Sequence, residues 1–471
     1  MADRRIVIVG GGFSGTALAV HLLRNGASGL KVTVIEPREQ LARGVAYGTQ
    51  DPAHRINVPA ERMQLSAAEE GDFDRWYRTT EAFNEDTAAR WHDGKVYPQR
   101  GQFGVYIAEQ LSRAAASSPV ELTHVREPAV ALEGDTVITA SGQRYQADEV
   151  VLAISHPPPA LPGALEALKD HPAVIANPWE VDALDRVAEQ DRVAIIGSGL
   201  TMSDVVASLN RLGHQGPVVA FSRRGQLPRP NLGGSFEPRP LNYQQQQAST
   251  ARGWLRRVRQ EVAQAAEQNL PWQLVLDDIR LHGQQLWQQL SLNEQRRFLR
   301  HLRPWWDVHR YRIAPQVSAV IEQLHSEGRL QLQAARLLSA KAEGNALRLT
   351  LQPRGGEPKI LLVDKLVVTT GPAHGTLLKT DALLNQLATQ GLIQADPLAL
   401  GIAVNADSQT LNLDNEANPH LYVVGPSARG RFGELMGLPQ VAEHAETVAR
   451  QLLDIHASQP VERCPTSPKI F

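Results

Sequence analysis

Apolar residues in this chain fall into short β-branched runs, each followed by a glycine-rich turn and a stretch of helical periodicity. Residues 6–9 form the first run, and its lack of polar alternation is typical of a parallel strand buried on both faces. Residues 14–25 then carry apolar side chains at helical spacing, and residues 32–35 form a second run that ends at Glu36. This order predicts a strand, a helix and a second strand at the start of the chain.

The same order of elements returns at residues 192–222. Alternating apolar and polar positions near 120–154 and 330–363 predict antiparallel meanders. Further apolar runs predict buried strands at residues 149–155, 365–371 and 418–424. The pattern as a whole predicts an α/β fold in which the same order of strand, turn and helix occurs twice.

Residues 240–312 break this rhythm, because they consist mostly of helix formers, including four glutamines at 244–247. They predict a helical insertion. Its tryptophans are expected to pack helix against helix rather than to bind a ligand, and they are Trp254, Trp272, Trp287, Trp305 and Trp306. The polar run at 305–315 fits either a solvated helix end or a surface that faces a cofactor cleft.

Two irregular segments help to divide the chain. The long glycine- and proline-punctuated loop at 37–70 either lines a ligand or only satisfies its own backbone. The proline-rich segment after His156 indicates a domain boundary. We therefore expect a first domain at 1–160, a second domain with its insertion at 161–372, and a return to the first domain at 373–471.

Composition narrows the function classes. The chain has 471 residues, a formal net charge of −2 and 42% hydrophobic residues, which favours several large cores and disfavours nucleic acid as a partner. Its one cysteine, Cys464, excludes an internal disulfide, a CxxC redox centre and a cysteine-based zinc site. No metal site is expected. No apolar run is long enough to span a membrane, and the first strand leaves no room for a signal peptide, so we predict a cytoplasmic protein.

The glycines after the first strand follow the spacing Gly10-x-Gly12-x-x-Gly15. In dinucleotide-binding turns the first glycine allows the tight turn, the second lets a pyrophosphate approach, and the third lets the helix lie close to the strand. Glu36 follows about twenty residues on, where a carboxylate can bind the ribose hydroxyls. The segment therefore predicts a dinucleotide site at the start of a helix, whose free N–H groups attract phosphates.

A second turn contains Gly197 and Gly199, but Met202 stands where a third small residue is expected. This departure predicts a helix that stands further from its strand. The next strand ends in Arg223 and Arg224 rather than in an acid. Because arginine forms forked, charge-assisted hydrogen bonds with phosphate, the pair indicates binding of NADP rather than NAD.

The two turns and the closing strands together resemble the flavoproteins with two dinucleotide-binding domains. The resemblance extends to bacterial FAD/NAD(P)-binding proteins related to the N-hydroxylating, class B flavin monooxygenases. It is carried further by Gly44-Val-Ala-Tyr-Gly48, Ile56-Asn-Val-Pro59 with Met63, Arg100 with Phe103-Gly104 and Tyr106, Ser222-Arg-Arg-Gly225 and His309-Arg-Tyr-Arg-Ile-Ala-Pro315.

The resemblance implies an α/β fold with two Rossmann-like dinucleotide-binding domains of the three-layer ββα type and a helical insertion. It also implies FAD in the first and last segments and NADPH in the middle one. The residues implied at FAD are Gly10, Gly12, Phe13, Ser14, Gly15, Glu36, Asn57, Met63, Arg100, Val125, Gly425 and Pro439. Those implied in the middle segment are Gly197, Gly199, Leu200, Thr201, Arg223, Arg224 and Gly371. Pro439 would begin a helix near the flavin pyrimidine ring, where a helix N-terminus stabilises the charge of reduced flavin.

Three functions stay open at this point. The resemblance implies an NADPH-dependent flavin monooxygenase that hydroxylates a small molecule, an amine being one candidate, with oxygen through a flavin hydroperoxide. The second is an NADPH-dependent reductase that passes electrons to a quinone, a carrier or a protein. The third is a non-catalytic flavoprotein. His156 is the one candidate catalytic residue, although a histidine in a proline-rich linker is more often only a linker residue. The sequence leaves a homo-oligomer open.

Overall fold

The computed structural model describes residues 3–154, 156–243 and 248–457. Cys464, the glutamines at 244–247 and residue 155 at the end of a predicted strand lie outside these ranges.

Within the described residues, sixteen strands form three sheets. The strands are β1 (Arg4–Val9), β2 (Leu30–Ile35), β3 (Glu121–Val125), β4 (Ala129–Glu133), β5 (Thr136–Thr139), β6 (Arg144–Gln146), β7 (Glu149–Leu152), β8 (Val174–Ile175), β9 (Val193–Ile196), β10 (Val218–Ser222), β11 (Leu330–Glu343), β12 (Ala346–Pro353), β13 (Lys359–Val363), β14 (Lys365–Val368), β15 (Gln409–Leu411) and β16 (Ala417–Val423).

The α-helices are α1 (Phe13–Asn25), α2 (Gly44–Tyr47), α3 (Asp72–Tyr77), α4 (Glu81–Glu85), α5 (Arg100–Ser117), α6 (Leu200–Arg211), α7 (Ala251–Glu267), α8 (Trp272–Leu281), α9 (Gly283–Gln289), α10 (Leu292–Arg297), α11 (Arg303–Arg310), α12 (Pro315–Ser326), α13 (Leu377–Thr380), α14 (Ala382–Thr389), α15 (Arg429–Phe432) and α16 (Gln440–Ala457). Short 3₁₀ helices occupy Ala60–Arg62, Ala67–Glu69, Thr87–Ala89, Gly163–Leu168, Leu184–Arg186, His374–Thr376 and Pro426–Ala428, and a π-helical turn occupies Phe298–Leu302.

The first sheet joins the two ends of the chain in the order β15-β16-β7-β1-β2-β3. Its strands are parallel except for the β15–β16 pair. Helices α1, α5 and α16 pack together on one face, and the small sheet β4-β5-β6 with α13 and α14 covers the other. Because β1 and β7 are covered on both faces, their residues after the charged starts at Arg4, Arg5 and Glu149 are all apolar, as expected for central parallel strands.

The second sheet has the order β13-β12-β11-β10-β9-β14-β8. Strands β8, β9, β10 and β14 are parallel, and β11 begins parallel to β10 before it continues antiparallel to β12. In each large sheet one parallel strand leads through a glycine turn into a helix: β1 leads into α1, and β9 leads into α6. The predicted α/β fold with two Rossmann-like domains is therefore confirmed.

One part of each predicted meander is wrong. Strand β3 belongs to the first large sheet, where it lies parallel to β2 at the edge, and only β4, β5 and β6 form an antiparallel unit. The first half of β11 likewise lies parallel to β10. An edge strand is exposed on one face whatever its direction, so alternation does not distinguish a parallel edge strand from an antiparallel one.

The region that breaks the α/β rhythm is helical, as predicted, and contains α7 to α11. Across the described ranges, no helix is both long and apolar enough to cross a bilayer.

Candidate functional site

The first glycine turn packs tightly against protein atoms at Gly15 but has open space at Gly12. A Cβ at Gly15 would lie 1.9 Å from the carbonyl oxygen of Gly10, so α1 packs directly on the turn. Gly10 itself has φ +105°, a region that favours glycine. A Cβ at Gly12, in contrast, would meet only the Cα of Gly44, at 3.7 Å. The open space above Gly12, at the N-terminus of α1, fits the pyrophosphate of a dinucleotide.

Glu36 is buried beside this turn. Its Oε2 accepts a hydrogen bond of 2.8 Å from the Gly11 N–H, and its Oε1 accepts one of 3.0 Å from the Arg38 N–H. The Glu36 N–H donates to the carbonyl oxygen of Val125 at 2.9 Å. Two of the residues expected at FAD, Glu36 and Val125, therefore lie together at the carboxyl ends of β2 and β3.

Gly425 comes to the same turn from the other end of the chain. A Cβ at Gly425 would lie 2.3 Å from the Ser14 Oγ, and Gly425 has φ +88°. Its N–H donates to His444 Nδ1 at 3.1 Å, so the proton of this ring is on Nε2, which lies 2.9 Å from the Ser408 Oγ. Burial lowers the pKa of His444 to about 4. Nothing in the sequence singled out this neutral histidine, which holds the Gly425 backbone.

The remaining residues expected at FAD lie in different surroundings. Phe13 stacks on Phe103 with ring centroids 5.6 Å apart, and Met63 is buried in the core. The carbonyl oxygen of Asn57 accepts a hydrogen bond of 2.6 Å from the Asn231 side chain. The helix α16 begins at Gln440, one residue after Pro439, so the predicted helix start is displaced by one position.

Arg100 has a partner that the sequence did not indicate. Its guanidinium donates to the two Asp204 oxygens at 2.8 and 3.0 Å, and also to the carbonyl oxygen of Arg55. Asp204 is a buried carboxylate on α6 and needs a cation beside it. Arg100 therefore ties α5 to α6, and its expected contact with the flavin phosphates stays a prediction.

The second turn repeats the geometry of the first. A Cβ at Gly197 would lie 2.5 Å from the Thr369 carbonyl oxygen, whereas a Cβ at Gly199 would have no atom within 4 Å. Leu200 and Thr201 begin α6 directly after this open position. Met202 is fully buried and belongs to the same core cluster as Ile195 of β9, and the larger distance of α6 from its strand stays a prediction.

The two arginines follow β10 at the edge of this turn. Arg223 is exposed, and the guanidinium carbon of Arg224 lies 5.7 Å from the ring centroid of Trp305 in the helical insertion. Neither arginine forms a salt bridge in the part of the chain that the structure describes. Gly371 follows β14 with φ +84°, and a Cβ there would have no atom within 4 Å.

A cavity of about 660 Å³ lies between the helical insertion and residues 429–436. Its wall is mostly apolar and includes all five of the tryptophans named above, and the expectation that they pack helix against helix rather than bind a ligand stays a prediction. The other lining residues that later arguments use are Arg259, Arg303, Asp307, His309, Tyr311, Arg429 and Glu434. Single-sequence periodicity did not reveal the cavity, because tryptophans that face a cavity and tryptophans that face a helix have the same spacing.

Residues 7–157 match the model of a family described as FAD-NAD(P)-binding. The chain carries an FAD-NAD(P)-binding domain. No curated protein sequence matches the chain.

Solved structures resemble this chain over nearly its whole length. An ornithine hydroxylase of Pseudomonas aeruginosa matches with a TM-score of 0.62 at 16% identity over 96% of this chain and 99% of its own. An ornithine N-hydroxylase of Kutzneria sp. 744, solved with reduced FAD, NADP⁺ and L-ornithine, matches with a TM-score of 0.61 at 17% identity over 97% and 100%. An FAD-bound cadaverine monooxygenase of Erwinia amylovora matches with a TM-score of 0.62 at 12% identity over 99% and 99%. At these identities the likeness establishes the fold.

The polar run at 305–315 of this chain faces the cavity between the helical insertion and residues 429–436. His309 and Tyr311 line it, and Arg310 is buried with its Nε 2.7 Å from Glu434 Oε2. Burial, and next the charge of Glu434, raise the pKa of Tyr311 to about 12. Of the two interpretations that the sequence left open, the structure favours the surface that faces a cleft.

His156 lies at the surface, and its ring centroid is 6.3 Å from that of His374. His374 is buried, and neither of its ring nitrogens has a hydrogen-bond partner among the described residues. Burial, followed by the charge of Arg429, lowers the pKa of His374 to about 3. The catalytic role considered for His156 stays a prediction.

Proposed function

We propose that this FAD-NAD(P)-binding protein is an NADPH-dependent flavin monooxygenase that hydroxylates a small molecule held in the cavity. The observation that supports it is the position of the cavity between the two predicted nucleotide sites. Arg429 and Glu434, on its wall, belong to the segment between Gly425 and α16. Trp305, on the opposite wall, contacts Arg224 beside the second turn.

The two turns would divide the cofactors between them. Gly12, Glu36 and Gly425 would hold FAD, and Gly199 with Arg223 and Arg224 would hold NADPH. The domain division then follows as part of the proposal: 1–160 and 373–471 for FAD, and 161–372 for NADPH. When bound, FAD supplies hydride acceptance from NADPH and the subsequent reaction with oxygen.

The protein's own part is to hold the substrate and to exclude water. Five tryptophans and the aliphatic side chains around them form a wall that offers few hydrogen bonds to water. Exclusion of water protects a reactive species from hydrolysis and side reactions. The fold is shared with ornithine and cadaverine hydroxylases, and this supports an amine as one substrate candidate.

The test separates oxygen chemistry from electron transfer. The purified protein with FAD is reduced by NADPH without oxygen, and the oxidised flavin band is then followed after mixing with either oxygen or a quinone. Fast reoxidation by oxygen and a hydroxylated product support the monooxygenase. Slow reoxidation by oxygen with fast reoxidation by quinone would establish the reductase, and no reduction by NADPH would leave a binding protein.

A further inference from the structure

The charged side chains on the cavity wall are not balanced. Both carboxylate oxygens of Glu434 accept a hydrogen bond: Trp306 Nε1 donates to Oε1 at 2.8 Å, and Arg310 Nε donates to Oε2 at 2.7 Å. Arg310 is buried, and its positive charge balances that of Glu434, so the pair is neutral overall. Glu434 therefore offers no free negative charge to a ligand.

The rest of the wall carries more positive than negative charge. Asp307 accepts one hydrogen bond of 3.3 Å from the Arg303 Nε. Arg429 is buried, and among the described residues the one hydrogen bond of its side chain runs from Nε to the Leu400 carbonyl oxygen at 3.2 Å. The wall also includes Arg259, so three guanidinium groups stand against the one remaining carboxylate, that of Asp307.

The other carboxylate whose charge acts on Arg429 is already occupied. Asp396 accepts backbone hydrogen bonds from Leu398, Leu400 and Gly401, at 2.8, 2.7 and 2.5 Å. Burial, and next the charge of Arg303, lower the pKa of Arg429 to about 10, because Arg429 is buried and lies near a second, partly exposed cation.

A buried cation without a counterion is costly, and an ion pair with good geometry offsets the loss of its hydration. A guanidinium is also well suited to the planar, two-oxygen geometry of a carboxylate. An ammonium at the same place would meet repulsion from Arg303 and Arg429. The wall around them is apolar and aromatic, which suits a hydrophobic body.

We propose that the cavity binds an amphipathic carboxylate, with its carboxylate on Arg429 and Arg303 and an alkyl or aromatic body against the tryptophan wall. The proposal rests on the proposed function and names the substrate class of that site. A cavity of about 660 Å³ is within the range that encloses most of a ligand of moderate size.

The binding test needs neither NADPH nor oxygen. Decanoate, decan-1-ol and decylamine have the same alkyl chain and differ in the charge of the head group. Each is titrated into the FAD-loaded protein below its micelle-forming concentration, and binding is followed by calorimetry and by the fluorescence of the cavity tryptophans. Decanoate is expected to bind at least ~10-fold more tightly than the other two. Equal affinity for the three, or preference for decylamine, would overturn the proposal.

Variants locate the head group. Arg429→Met is expected to weaken decanoate binding at least ~10-fold and to leave decan-1-ol binding unchanged, and Arg303→Met to act in the same direction. Arg431→Met removes the same charge from an exposed position on the same short helix, and should leave both affinities unchanged. Arg429→Lys keeps the charge and should keep the preference for decanoate, so a poorly folded Arg429→Met does not end the test. An unchanged preference in both Arg429→Met and Arg303→Met would overturn the proposal.

The two proposals can fail separately. Decanoate binding that depends on Arg429, without any hydroxylated product from a carboxylate or an amine, would overturn the monooxygenase and support the anion site. A hydroxylated amine product from a protein that shows no preference for decanoate would overturn the anion site and support the monooxygenase.

Discussion

At the scale of single residues, the glycines of the two turns fall into two kinds. A Cβ at Gly15 or Gly197 would overlap backbone oxygen atoms at 1.9 or 2.5 Å, so these glycines allow the chain to pack. A Cβ at Gly12 or Gly199 would point into nearly empty space. The second kind has no packing reason to be glycine, which leaves close approach of a ligand as the reason.

This difference gives a paired prediction. Gly12→Val should fold but lose FAD, because its side chain would occupy the space of the pyrophosphate. Gly199→Val should keep FAD and lose affinity for NADPH. The ratio of flavin to protein absorbance and an NADPH titration measure the two effects. FAD retained in Gly12→Val would contradict the placement of the cofactor.

Arg223 and Arg224 should determine the choice of coenzyme. A charge-assisted hydrogen bond contributes about 1.5–3 kcal/mol, so Arg223→Ala or Arg224→Ala should raise the apparent NADPH constant ~10-fold or more. NADH lacks the 2′-phosphate and serves as the internal control, with an expected change near zero. Steady-state kinetics with both coenzymes measures this, and equal weakening of the two would refute the phosphate contact.

His444 should make the folded protein sensitive to acid. Burial lowers its pKa from the ordinary value of 6.5 to about 4, so below pH 6.5 the unfolded chain takes up a proton that the folded chain does not. The free energy of unfolding should fall as the pH is lowered from 6.5 to about 4, by roughly 3 kcal/mol for this group. Urea unfolding across this range measures it.

His444→Gln can keep one acceptor for Gly425 and one donor for Ser408, and it does not titrate. The pH dependence between 6.5 and 4 should therefore be weaker in this variant than in the native protein. His420→Gln, at an exposed position, is the control and should leave the pH dependence unchanged. An identical pH dependence in His444→Gln would show that another group is responsible.

At the scale of elements, the pair of Arg100 and Asp204 connects α5 of the first sheet's domain to α6 of the second. Because both side chains are buried, Arg100→Ala should cost about 3–5 kcal/mol of unfolding free energy by leaving Asp204 without a counterion. Arg113→Ala removes an exposed salt bridge to Glu109 on the same helix and should cost less than about 1 kcal/mol. Urea unfolding of both variants tests this, and similar losses would contradict it.

Elements governed by local sequence were predictable. The strand, turn and helix at residues 6–25 follow from β-branched runs and glycine spacing, which act within a few residues. The partners of Arg100, His444 and Glu434 were not, because each lies far away in the chain and the side chain type alone does not select it. The parallel direction of β3 was missed for a related reason, since an edge strand alternates in either direction.

At the scale of the whole molecule, the chain leaves the first sheet after β7 and returns to it with β15 and β16. The segment that follows β16 carries Gly425 to α1, and it then forms one wall of the cavity with Arg429 and Glu434. The helical insertion forms the other wall. The sites proposed for FAD and for the substrate therefore share one stretch of chain.

Hydrogen bonds from several side chains hold the insertion to this stretch. Trp287 Nε1 donates to the Gly430 carbonyl oxygen at 3.0 Å, Trp306 Nε1 and Arg310 Nε donate to Glu434 at 2.8 and 2.7 Å, and Arg280 donates to the Leu438 carbonyl oxygen. Two of these bonds end on one carboxylate, so Glu434 is a residue through which the insertion can be loosened without changing either nucleotide turn.

Glu434→Gln should therefore keep FAD and admit water to the cavity. Its amide keeps the size of the side chain but loses the charge opposite Arg310, which is buried. If the insertion acts as a lid in the proposed monooxygenase, the fraction of NADPH oxidation that ends as hydrogen peroxide should rise, while the rate of flavin reduction by NADPH stays close to that of the native protein. Peroxide and hydroxylated product are measured against NADPH consumed. Trp306→Phe removes one hydrogen bond with an uncharged donor and keeps the charge of Glu434 opposite Arg310, so it should give a smaller increase. An unchanged peroxide fraction in Glu434→Gln would show that the insertion does not protect the reaction.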